Sequence, residues 1–134
     1  MFDRATGTFD VTLLPLANDT PAEGSPLGRM SIDKIFRGDI KATSKGEMLT
    51  AGTAIKNSAG YVAIERVMGT VKGLKGTFAL MHTGMMNRGS PSLTITVVPD
   101  SGTGELTGLT GRLDIQIAEG KHSYVFDYDI ATLA

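Results

Sequence analysis

Glu65 and His82 are the residues best suited by type to move a proton, and each has apolar neighbours at every second position. Glu65 shares one face of an extended segment with Tyr61, Ala63 and Val67, and His82 shares one with Phe78 and Leu80. A carboxyl group and an imidazole brought together away from water have displaced proton affinities, which suits acid and base roles near neutral pH. Lys34 repeats the pattern among Met30, Ile32 and Phe36, and His122 does so with Tyr124, Phe126 and Tyr128. If these faces point inward together, Lys34, Tyr61, Glu65, Phe78, His82, Tyr124 and Tyr128 line a ligand site, with Glu65 and His82 as the catalytic candidates. The plainer alternative is that each polar group is hydrogen-bonded at a strand end or paired with a neighbour. The Lys34 stem is expected to pack while its amine reaches solvent. His122 directly follows a turn and is placed at the rim.

Other chemistries find less support. The chain has no cysteine, which excludes disulfides, thiolate nucleophiles and cysteine-ligated zinc. Two histidines at unrelated strand positions with one glutamate do not make a metal site, so no metal and no cofactor is expected. No Gly-x-Ser-x-Gly elbow is present, which disfavours a serine hydrolase. The glycine run from Gly102 to Gly111 looks superficially like a phosphate loop. Such loops must open a helix, and strand follows here, so the run reads as a glycine-bent corner between two strands. The methionines at 81, 85 and 86 read as gap-fillers, with a ligand-adapting barrel mouth as the alternative.

The elements that must position these residues alternate in hydrophobicity with period two. Phe9, Val11 and Leu13 alternate with Asp10 and Thr12; Leu93, Ile95 and Val97 alternate with Thr94 and Thr96; Leu113, Ile115 and Ile117 alternate with Asp114 and Gln116. Turns fall at Arg37-Gly38-Asp39, Asn57-Ser58-Ala59-Gly60, Pro99-Asp100-Ser101-Gly102 and Glu119-Gly120, with the longest loop from Pro15 to Gly28. The segment from Ile40 to Ile55 is extended, and Ser44-Lys45-Gly46 suggests a bulge or bend within it. Roughly eight short strands without a helical period predict one all-β domain over residues 1–134. Short turns favour an antiparallel up-and-down barrel, whose closure leaves no open edges.

Composition narrows the partners. Thirteen basic and fourteen acidic residues are spread along the chain for a net charge of -1. No basic block can neutralise a row of phosphates and no amphipathic cationic stretch suits a membrane, so neither nucleic acid nor membrane is expected. The first residues lack the pattern of a secretory signal, and a cytoplasmic location is expected.

Several segments carry a family resemblance. Gly102-Thr103-Gly104, Leu106, Gly108 and Gly111, followed by alternating Tyr124, Phe126 and Tyr128, resemble the C-terminal part of allene oxide cyclases and dirigent proteins. A bacterial family of unknown function with the same barrel is more similar still, over nearly the whole chain. The matching segments include Gly38-Asp39, Ser44-x-Gly46-Glu47-Met48-Leu49, Ala59-Gly60-Tyr61-Val62-Ala63-x-Glu65-Arg66, Gly76-x-Phe78, His82-x-Gly84 and Val98-Pro99-x-Ser101-Gly102-Thr103-Gly104-Glu105-Leu106. The resemblance implies an eight-stranded antiparallel barrel. It carries no cyclase activity over, because the cyclase site residues do not map onto this chain.

The leading functional expectation is a barrel that binds a small hydrophobic or amphipathic molecule. The alternative is a cofactor-free isomerase or cyclase using Glu65 and His82, and a third reading is an assembly role. Residues 61–64 are apolar on both faces, and one barrel interior can take only one of them. A homodimer is therefore expected, with a loop covering the outer wall as the competing arrangement.

Overall fold

The computed structural model describes residues 2–17 and 27–131. Eight antiparallel strands follow one another around a closed barrel: β1 (Asp3–Pro15), β2 (Leu27–Gly38), β3 (Ile40–Gly52), β4 (Ala59–Val71), β5 (Leu74–Asn87), β6 (Ser90–Val97), β7 (Leu109–Ala118) and β8 (Lys121–Ile130). The only helical element among the described residues is one 3-10 turn at Gly104–Leu106. None of them forms a helix long and apolar enough to cross a membrane. Three hairpins close through a residue-glycine pair with both φ angles positive: Lys72-Gly73, Arg88-Gly89 and Glu119-Gly120. That geometry matches the twist of the flanking strands, and a glycine adopts it without steric cost.

The two ends of the barrel differ. At the end carrying the β2–β3 and β4–β5 turns, Phe36, Phe78, Tyr124, Phe126 and Tyr128 are buried with Val67, Val71 and Leu109. Phe126 stacks on both Phe78 and Tyr128, with ring centres 5.9 and 5.2 Å apart. The segment between β6 and β7 seals this end, burying Leu106 completely. The expected glycine corner is thus also a plug. At the opposite end, inward positions such as Leu13, Met86, Leu93 and Ile117 remain exposed. Closure is thinnest here: β6 and β7 pair only at Thr96–Arg112, whereas β7 and β8 pair from Leu109–Ile130 to Ala118–Lys121.

Register decides the inward face that the doubly apolar segment left open. Ala63, Glu65 and Val67 are buried inside with Tyr61 half-buried above them, while Val62 and Ile64 stand outside. The bend expected at Ser44-Lys45-Gly46 does not occur. Pairing runs unbroken through Ser44–Val67, Lys45–Arg66 and Gly46–Glu65. Gly46 serves a different purpose: a β-carbon there would collide with the backbone of Ile64 and Glu65, so glycine permits the close approach of β3 to β4.

Candidate functional site

Four consecutive strands each contribute one buried polar side chain to the interior: Lys34 on β2, Ser44 on β3, Glu65 on β4 and His82 on β5. Each occupies an inward position because it keeps phase with apolar neighbours on its strand. The up-and-down order then makes the four strands adjacent in space. Glu65 lies at the centre and is fully buried. Its Oε2 accepts from Lys34 Nζ at 2.7 Å and lies 2.5 Å from His82 Nε2, and its Oε1 accepts from Ser44 Oγ at 2.8 Å.

The electrostatics follow from that shell. Burial pushes the Glu65 carboxyl up, but the His82 hydrogen bond and the Lys34 charge outweigh it and hold the group at about 2. Glu65 is therefore a carboxylate at neutral pH with both oxygens engaged. Lys34 does not reach solvent as expected from its long stem. Its ammonium is enclosed, lies 5.1 Å from the Phe9 ring centre and 5.8 Å from that of Phe36, and pairs with Glu65. Where His82 donates from Nε2 to Glu65, the other nitrogen of the neutral ring, Nδ1, is an acceptor.

Above this cluster the open end forms a cavity of about 600 Å³ lined by Met48, Tyr61, Gly84, Met86, Pro91 and Leu93, among others. Tyr61 pairs with Gly84, Ala63 with His82, and Glu65 with Leu80, so His82 and Glu65 lie one and two inward positions below the cavity wall. The Tyr61 ring centre is 6.3 Å from that of His82. Burial, reinforced by the Glu65 charge, raises the Tyr61 phenol, which stays protonated at neutral pH and can donate. His122 sits just inside the rim, its ring centre 5.2 Å from that of Phe9.

The structure thus joins Lys34, Glu65 and His82 and brings Tyr61 to the cavity above them. It places Phe78, Tyr124 and Tyr128 in the packed aromatic end. There the Tyr124 hydroxyl donates to the Arg37 carbonyl at 2.8 Å and accepts from the Ile40 amide at 2.9 Å, clamping the β2–β3 turn. Of the three methionines read as gap-fillers, Met81 stands on the outer wall, while Met85 and Met86 both border the mouth cavity. Ser44 was missed by sequence reasoning. Its signal was phase: it alternates with Ile40, Ala42 and Met48 on the inward face of β3. Among the described residues no group of three or more histidine and acidic side chains could hold a metal ion.

The family described as "Protein of unknown function (DUF3224)" matches residues 5–128. This chain belongs to that family. A DUF3224 protein of unknown function from Shewanella oneidensis MR-1, known from its crystal structure, is 47% identical. It superposes with a TM-score of 0.94, covering 99% of this chain and 100% of that one. No curated protein matches the chain. The DUF3224 barrel is thus a shared fold, and the reading of its interior rests on the chemistry of this chain.

Proposed function

We propose that this DUF3224 barrel binds a small, largely apolar molecule in its open end, with a polar tip directed at Tyr61 and His82. The observation that carries the reading is the asymmetry of the lumen. One end is packed with aromatic rings, while the other holds a cavity of about 600 Å³ walled by methionine, leucine and proline. Small-ligand sites have that size and that mixture of apolar wall and few polar groups. Methionine at three inward mouth positions, 30, 48 and 86, adapts to varied ligand shapes. The Tyr61 phenol supplies a donor and His82 Nδ1 an acceptor, which suits a hydroxyl or carbonyl tip.

The isomerase reading, with Glu65 and His82 as base and acid, has weaker support. A carboxylate held at about 2, with both oxygens already engaged, is a feeble base. The Lys34–Glu65 pair is better suited to holding His82 in one orientation.

Titration with 1-anilinonaphthalene-8-sulfonate, followed by displacement with C8–C12 alkanols, tests the proposal. Saturable binding should weaken at least tenfold, about 1.4 kcal/mol, in Leu93→Asp and stay unchanged in the outer-wall variant Ile64→Asp. Probe binding that ignores Leu93→Asp, or that follows Ile64→Asp instead, overturns it.

A further inference from the structure

The outer wall is not uniform. The outward residues of β7 and β8 include Thr110, Arg112, Asp114, Gln116, Ser123 and Asp127, as expected of a sheet facing water. On β3 to β5 a block of outward positions is apolar instead, with charged residues around it. Leu49, Val62, Ile64 and Met81 are 57%, 51%, 56% and 45% exposed. They are contiguous: Leu49 pairs across to Val62, and Ile64 pairs to Met81. A shallow depression runs over them, bordered by Arg29 and Glu47. Large apolar patches rimmed by polar groups are uncommon on proteins that work as lone monomers.

We infer that this wall is the interface of a two-fold homodimer, with Val62, Ile64, Leu49 and Met81 at its centre. Charge favours a second copy over another partner. The rim carries both signs as matched pairs within the chain, Arg29–Glu47 at 2.5 Å and Lys45–Asp33 at 3.8 Å. Arg66, beside Lys45, adds a cation without a carboxylate partner among the described residues. A face of mixed sign on a chain of net charge -1 attracts neither a polyanion nor a strongly basic surface. In an isologous contact each side meets itself, so a face carrying both signs avoids the like-charge repulsion that a rim of one sign would bring.

Area agrees. Four strands about 4.8 Å apart and some eight residues of about 3.4 Å rise give roughly 500 Å² of projected wall, and more as accessible surface. Stable interfaces use about 600–1,000 Å² per partner. Because the barrel is closed, the two copies would meet through side chains on their walls, without adding strands to one another.

The chain has no cysteine, so Ile64→Cys creates a single thiol at the centre of the face. Sedimentation of the wild type at micromolar concentration should give a species of twice the 14.1 kDa chain mass. Ile64→Glu and Met81→Lys, both at exposed positions, should give single chains with the barrel's circular dichroism intact. Maleimide labelling of Ile64→Cys should be at least tenfold slower in the dimer than after dilution to monomer. A wild type that sediments as one chain overturns the inference. Slow labelling of that monomer would then show that the chain covers its own wall, and fast labelling that nothing does. A dimer that survives both charged variants also overturns it. None of these readouts depends on ligand binding in the lumen.

Discussion

The Tyr61 ring packs against Gly84, so close that a β-carbon at position 84 would overlap its Cε1 edge. The two residues are direct cross-strand partners of β4 and β5, both on the inward side. Glycine thus lets the ring lean across the mouth and bring its phenol into the cavity. Gly84→Ala should displace the ring at a cost of about 1–3 kcal/mol, the usual range for overpacking. It should also change the near-UV circular dichroism of tyrosine. Tyr61→Ala removes the obstacle, so a double-mutant cycle should show Gly84→Ala costing far less in that background. Additive effects of the two changes would refute the contact.

Removing one member of the buried ion pair should be worse than removing both. Glu65→Leu strands the Lys34 ammonium, which is 4% exposed, without a counter-charge. Breaking a buried pair from one side costs about 3–5 kcal/mol, whereas replacing both partners with apolar groups can be nearly neutral. The urea midpoint should therefore fall steeply in Glu65→Leu and recover in Lys34→Met/Glu65→Leu. His82 stays without its carboxylate in the double variant, so recovery should be partial. A double variant less stable than either single one contradicts this account.

Acid should loosen the barrel in a defined window. The Glu65 carboxyl lies at about 2 in the folded chain, below its ordinary 4.5. As pH falls below 4.5 the unfolded chain takes up a proton at this site that the folded chain does not. Stability supplied by the ionised Glu65 is thus complete above that value and is lost as pH falls toward about 2. The loss should approach about 1.4 kcal/mol per pH unit from this one group. Urea midpoints measured from pH 5 to pH 2.5 should slope less in Glu65→Gln than in the wild type. Equal slopes would mean that other carboxylates govern acid stability.

Alternation and turn chemistry made the strands readable, since inward and outward residues differ in kind along most of them. Val11 and Leu13 alternate with Asp10 and Thr12 on β1, and Glu119-Gly120 closes a hairpin as its residue types require. The polar members of the site were readable for the same reason: Lys34, Glu65 and His82 each interrupt an apolar phase. Ser44 was not, because the Ser44-Lys45-Gly46 segment resembles a bend, and only the unbroken β3–β4 register shows it facing the lumen.

Residues 61–64 carried no phase information, since both of their faces are apolar. Closure of the barrel assigned Tyr61, Ala63 and Glu65 to the inside and left Val62 and Ile64 on the wall. Closure also determined that Lys34, Glu65 and His82 meet and that Phe78, Tyr124 and Tyr128 are packed at the other end. Period-two alternation states that a residue shares a side with its second neighbour. Which residues from different strands occupy the same depth depends on register, and register is settled by long-range pairing that no local stretch of chain contains.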